Sequence, residues 1–234
     1  YALCAPSFID YQEPVVTNTE FSTLSLDPEL IANLTSLEYT RMTPIQAQSL
    51  PLLLTGKDVI AQASTGSGKT VAFGLSLLAR LDVSQLSVQS MVICPTRELA
   101  DQVARELRRL ARAMANVKLV VLCGGSPTAA QSESLSFGAH IVVGTPGRML
   151  KHLEQGSLDI SALNTLVLDE ADRMLEMGFA EDIQRVVAFA PKQRQTLLFS
   201  ATYPEGIAEL SRGLQQQPTR LSVADTQQSE NIVQ

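Results

Sequence analysis

The sequence predicts an α/β domain built on an open, mostly parallel sheet with helices on both faces. Seven short, continuously apolar runs stand at 59–61, 91–93, 119–122, 141–143, 165–168, 196–199 and 220–223. Strands with apolar residues on both sides, rather than alternating ones, are those covered on both faces. Helical patterns separate most of the runs, as parallel neighbours require. Six of the seven runs end directly in a polar or glycine-rich string. Open α/β sheets bind ligands at the carboxyl ends of their strands, so these strings should gather along one edge.

The 234 residues suffice for one large domain with a full core, and 45% hydrophobic with 18% charged content excludes disorder throughout. No apolar run approaches the roughly 18 residues of a membrane helix, and no basic cluster precedes an apolar stretch at the start. A cytoplasmic protein with no membrane partner is expected. Three cysteines without CxxC spacing, of which Cys94 and Cys123 fall in strand-like runs, read as reduced core residues, and two histidines argue against a His-based metal site. The net charge of −6 comes entirely from residues 1–40, which hold six acids and no base; the rest of the chain is balanced. Any nucleic-acid contact is therefore expected to be a local groove and not a broad basic face.

In chain order, residues 1–20 lack periodicity and read as a flexible arm, ahead of a lobe spanning 21–223. The run at 59–61 leads into Ala63, Ser64, Thr65, Gly66, Ser67, Gly68, Lys69 and Thr70, which fits GxxxxGK[ST] except for Ala63. A strand, a tight turn and a helix start are implied, with backbone N–H groups aimed at a polyphosphate. Lys69 would reach the outer phosphates, and the Thr70 hydroxyl would join a Mg2+ shell. From Arg97 to Met114, Leu99, Val103, Leu107, Leu110 and Met114 recur at helical spacing, leaving Arg105, Arg108, Arg109 and Arg112 as a solvated face with partners such as Glu106, or else as an RNA or partner contact. The run at 165–168 delivers Asp169 and Glu170 at a strand tip. Two adjacent acids there suit two tasks: Asp169 to hold Mg2+ through water, and Glu170 to orient and deprotonate an attacking water. Residues 174–179 read as core packing, and 224–234 as the start of a linker.

With these strings in order, the chain resembles the first RecA-like lobe of a DEAD-box RNA helicase over about residues 21–234; the wording at 94–103 and 169–179 is closest to the bacterial DbpA type. The resemblance implies an ATP site completed by Phe21, Tyr39, Arg41 and Gln46, with the Gln46 carboxamide reading the adenine edge. This stretch departs from the family's usual wording at Glu38, where a glycine is common, and at Met42, where a proline is common. It further implies backbone contacts to RNA from Pro95, Thr96 and Arg97, from Gly124 and Gly125, and from Thr145, Pro146, Gly147 and Arg148. Ser200 and Thr202 would couple hydrolysis to strand separation through hydrogen bonds to Asp172.

The expected function is thus an ATP-dependent RNA helicase lobe that uses ATP and Mg2+, clamps single-stranded or duplex RNA, ribosomal RNA among the candidates, and works with a second RecA-like lobe in cis. Alone it is expected to be monomeric. No string resembling the family's arginine-finger motif occurs after position 202. Such fingers are worth on the order of 10³–10⁵ in rate, so the lobe alone should bind nucleotide and turn it over poorly. The rival readings are a protein-binding adaptor that keeps the fold, and a generic phosphate-loop ATPase or DNA helicase. Intact Lys69, Asp169 and Glu170 speak against the first, and the AspGluAlaAsp and Gln46 context against the second.

Overall fold

A computed structural model describes residues 9–10 and 19–223; the expected linker and most of the expected arm lie outside the described residues. All seven apolar runs form strands: β2 (Val59–Gln62), β3 (Ser90–Ile93), β4 (Leu119–Leu122), β5 (Ile141–Gly144), β6 (Thr165–Leu168), β7 (Gln195–Ser200) and β8 (Thr219–Ser222). An added strand, β1 (Ile9–Asp10), pairs with Thr219 and Arg220 at the sheet edge, inside the stretch whose lack of periodicity suggests an arm. Two residues are too few to show a period, and the pairing is made by backbone groups that leave no mark on the sequence. The sheet order is β1-β8-β2-β7-β6-β3-β5-β4, and every pairing is parallel.

This order sorts the strings. Strands β2, β7 and β6 stand side by side and end in the phosphate loop, SerAlaThr and AspGluAlaAsp. Strands β3, β5 and β4 continue the sheet and end in ProThrArg, ThrProGlyArg and GlyGlySer. One half of the edge thus carries the strings expected at a nucleotide and the other half those expected at RNA.

The apolar runs face both ways, as their composition requires. Val59, Ala61, Leu197 and Phe199 join one core layer beneath α1 (Pro28–Ser36), α2 (Pro44–Leu54), α3 (Lys69–Ala79) and α4 (Arg97–Leu110). Ile60, Met91, Ile93 and Leu198 join the other, covered by α6 (Pro146–Glu154), α7 (Ala171–Glu176), α8 (Ala180–Ala188) and α9 (Glu205–Leu214), with α5 (Thr128–Ser136) at its border. Phe73 of α3 and Phe199 of β7 meet with ring centroids 5.4 Å apart, fixing the helix after the phosphate loop onto the central strands. The helix expected to run from Arg97 to Met114 stops at Leu110 and tightens into a 3-10 turn over Ala111–Ala113, because Met114 is already extended. Its arginine face is exposed as expected, with Arg109 bonded to Glu106 at 2.9 Å. In the 174–179 segment, Met174 is buried, whereas Met177 is 48% exposed, so only part of that string packs inward.

Two helix ends explain the wording around Tyr39. After α7, Gly178 takes φ +81° while the Gly178 N–H donates to Leu175 O and the Phe179 N–H to Met174 O, a stop that favours glycine in the left-handed position. The same stop ends α1, where the Glu38 N–H donates to Thr35 O and the Tyr39 N–H to Leu34 O, but the left-handed residue, at φ +64°, is Glu38. Met42 uses what a proline there would lack: its N–H donates to Thr19 O at 2.6 Å, tying the strand-like entry before Phe21 to this turn. The left-handed conformation costs a non-glycine residue roughly 1–2 kcal/mol, and glycine returns roughly 0.5–1 kcal/mol of that as unfolded-state entropy. Glu38→Gly should therefore raise the unfolding free energy in urea by about 0.5–1 kcal/mol; a loss of stability would contradict the strain assigned to this turn.

Candidate functional site

The phosphate loop is shaped from two sides. Gly66 and Gly68 sit at φ +83° and +96°, conformations that suit glycine. At Gly68 there is also no room for a side chain: a Cβ would lie 2.5 Å from Gln46 Nε2 and 2.9 Å from Thr43 Oγ1. Gln46, only 3% exposed, donates from Nε2 to Gly68 O at 3.0 Å and accepts at Oε1 from the Thr43 N–H at 2.9 Å. Both ends of the carboxamide expected to read adenine are thus held by the chain itself. Lys69, buried, curls back to donate to Ala63 O at 3.1 Å, and the Ala63 N–H donates to Ser200 O at 3.0 Å. The loop is therefore pinned to α2 on one flank and to β7 on the other.

Asp169 lies at the tip of β6, 3% exposed, and its carboxylate accepts one hydrogen bond, from the Glu170 N–H at 3.0 Å. Burial pushes its carboxyl up to about 6, against the lowering pull of the Lys69 ammonium and with a further push from Glu170. Glu170 takes φ +52°, which turns its side chain out of the strand line toward Thr65 (3.4 Å) and Arg173 (3.3 Å). Asp172 accepts from the Ala201 N–H (3.1 Å), the Thr202 N–H (2.9 Å) and the Thr202 hydroxyl (2.9 Å). Burial raises its carboxyl, but the two Thr202 bonds, the Arg173 N–H and the Ser200 hydroxyl outweigh it and hold the group below the usual carboxylate range. The hydrogen bond expected between Thr202 and Asp172 is thus formed. Ser200 contributes more weakly: its buried hydroxyl makes no well-formed hydrogen bond among the described residues but lies near enough to Asp172 to help lower its carboxyl, and its backbone carbonyl binds Ala63.

A cleft of about 370 Å³ lies here, lined by Thr65, Gly66, Gly68, Lys69, Thr70, Asp169 and Glu170 together with Tyr39. Its far wall is a part of α4 that sequence reading treated as core or solvated face: Leu99, Gln102, Val103 and Glu106. Glu106 accepts the Tyr39 hydroxyl at 2.6 Å, and burial, then this bond, pushes the phenol up to about 12. The signal for Glu106 was present as a lone acid among arginines, but its partner is 67 residues away in sequence. Phe21 does not line the cleft; it is 4% exposed within the core layer. Arg41 is exposed and likewise outside the lining.

On the other half of the edge, Thr96 caps α4 by accepting the Leu99 N–H at 3.2 Å, leaving Arg97 exposed. The Arg97 guanidinium reaches over to Gly125, where a Cβ would lie 2.5 Å from Nη1 and φ is +84°. Thr145 precedes α6, whose first residue is Pro146, and Arg148 donates from Nη1 to Ser126 O at 2.9 Å. Gly124, Gly125 and Gly147 are exposed. The three strings are therefore linked by two arginines that bridge separate loops.

The fold and this cleft define a RecA-like lobe of the phosphate-loop class. A family model described as DEAD/DEAH box helicase matches residues 43–210, and the chain belongs to that family. It is 56% identical over 209 residues to the ATP-dependent RNA helicase DbpA of Escherichia coli (strain K12), a match covering 89% of this chain and 46% of that protein. It is 44% identical over 214 residues to the DEAD-box ATP-dependent RNA helicase CshA of Streptococcus pneumoniae, covering 92% and 41%. The crystal structure of a DEAD box protein from the hyperthermophile Methanococcus jannaschii superposes with a TM-score of 0.85 at 34% identity, covering 88% of this chain and 56% of that one. The chain thus spans about half the length of the proteins it matches. No helix among the described residues is long and apolar enough to cross a membrane.

The raised Asp169 carboxyl has a consequence for stability. The folded state holds the Asp169 proton up to about pH 6, the unfolded chain only to near 3.8. Stability therefore falls as pH rises through that window, and the whole cost is present above it. Asp169→Asn should stabilise the chain by about 2–3 kcal/mol at pH 8 and by little near pH 4, read from paired urea titrations. A gain independent of pH would contradict the buried charge as its source.

Proposed function

We propose that this chain is the nucleotide-binding lobe of an ATP-dependent RNA helicase, binding ATP with Mg2+ in the cleft and the backbone of single-stranded RNA on the adjoining half of the edge. The observation that supports it best is the strand order, which sets the phosphate loop, the Thr202–Asp172 latch and the paired acids side by side and continues without a break into the three other strings.

The residues divide the work. N–H groups of the loop and the start of α3 would cradle the phosphates. Lys69 would exchange Ala63 O for the outer phosphates, a short move for a side chain already folded over the loop. Thr70 and Asp169 both line the cleft and offer hard oxygen donors, and among the described residues Asp169 spends one acceptor site, so the pair fits a Mg2+ shell, with Asp169 acting through water. Bound there, the cation would neutralise charge on the phosphates. Glu170, steadied by Thr65 and Arg173, would orient the attacking water and accept its proton. Tyr39, held by Glu106, would flank the base, and Gln46 would read its edge on exchanging its bonds to Thr43 and Gly68. On the RNA side, exposed glycines permit close approach, while Arg97 and Arg148 supply charge and no base edge is read. Local duplex unwinding would need the second RecA-like lobe to close the cleft and bring its arginines. Ribosomal RNA as the substrate, and with it a part in ribosome assembly, rests on the DbpA-type wording of the motifs.

In a protein joining this chain to a second lobe, Glu170→Gln should keep nucleotide and RNA binding while lowering RNA-stimulated turnover on the order of 10²–10⁴-fold. Lys69→Ala should instead weaken nucleotide binding itself, by about 10- to 100-fold, because its charge meets the phosphates before any chemistry. Brisk hydrolysis by the Glu170→Gln protein would remove Glu170 from the catalytic role.

A further inference from the structure

We propose that Gln131 is a positioning residue for RNA binding, acting through Arg148; the inference rests on the reading of Gly124–Gly125 and Thr145–Arg148 as backbone-contacting strings. Gln131 lies on α5, outside every motif, and is 8% exposed. Its carboxamide is engaged at both ends. Nε2 donates to Cys123 O at 2.9 Å, the carbonyl just before the two glycines. Oε1 accepts from Arg148 Nη1 at 2.8 Å and lies 3.0 Å from His152 Nε2.

The orientation of the amide is fixed by its partners. Turned over, its oxygen would face the Cys123 carbonyl and its NH2 would face the Arg148 guanidinium, acceptor against acceptor and donor against donor. With Oε1 toward His152, the Nε2 of that buried imidazole must donate, leaving Nδ1 to accept from the Ser157 hydroxyl at 2.8 Å. A neutral imidazole suits this arrangement, and burial, then Arg148 and Lys151, hold His152 below its ordinary range.

Arg148 is thereby held at one nitrogen only. Nη1 donates to Gln131 Oε1 and to Ser126 O, which uses both of its hydrogens. The other three guanidinium hydrogens make no bond among the described residues and remain for a phosphate. Without Gln131, Arg148 would be tied only to the carbonyl of an exposed loop, and the order of a long side chain would have to be supplied on binding. Gln131 thus fixes the strings after β4 and β5 as one surface, with its donor on one loop and its acceptor on the arginine of the other.

The test is a double-mutant cycle on this chain, read by fluorescence anisotropy of a labelled oligouridylate over a range of salt. Arg148→Ala should weaken binding by about tenfold and flatten the slope of log K against log[salt] by about 0.7, one phosphate contact. Gln131→Met should flatten the slope likewise and add nothing in the Arg148→Ala background, while ADP affinity stays unchanged in all variants. Additive losses from Gln131→Met and Arg148→Ala would overturn the proposal and leave the strings as RNA contacts. No effect of Arg148→Ala would instead overturn the reading of the string itself.

Discussion

The contact between Gln46 and Gly68 sets the shape of the phosphate loop, on which the rest of the site depends. Gly68 is the last residue before α3, and its φ of +96° turns the chain from the loop into the helix. Its carbonyl takes a hydrogen bond from Gln46, while its Cα faces Gln46 and Thr43 so closely that a methyl group would not fit. The direction of α3 follows, and with it the places of Lys69 and Thr70 beside Asp169. Gln46 can hold the loop because its oxygen is anchored to the Thr43 N–H at the start of its own helix, which makes the carboxamide a rigid strut. A base that competes for that carboxamide therefore acts on the phosphate loop as well.

The site is also where the fold is least relaxed. Asp169 is a nearly dry carboxylate with one hydrogen bond, and Glu170 beside it has a left-handed backbone that suits it poorly. The first of these is the one a cation would relieve, since positive charge at that point would offset the buried carboxylate. Asp172 shows the contrast: three hydrogen bonds from residues 201–202 satisfy it without any ligand, so it belongs to the frame linking β6 and β7. Neighbouring acids on one turn thus serve opposite ends because their donors differ.

Much of this was legible in the sequence because a buried parallel strand and a phosphate loop both write local signatures. All seven apolar runs became strands, and the strings after them share one edge. The order of the strands across the sheet was not legible: that β7 separates β2 from β6 is decided by packing between segments more than a hundred residues apart. The left-handed position of Glu38 could be guessed only as a missing glycine, and the hydrogen bonds that demand it come from helix geometry. The roles of Glu106 and Gln131 left no motif, since each acts through a partner distant in sequence, Tyr39 in one case and Arg148 in the other. Resemblance placed Gln46 and Phe21 at the base. The structure shows one bound to the loop and the other packed in the core, roles that a local string does not distinguish.

The most direct measurement is calorimetric titration of the chain with Mg2+–tripolyphosphate, a ligand with phosphates but no base. If Gln46 shapes the phosphate loop, Gln46→Ala should lower tripolyphosphate affinity by about three- to tenfold, as expected for losing one buried hydrogen bond. An affinity unchanged by Gln46→Ala would contradict the account, leaving the contact with Gly68 as packing without influence on the site.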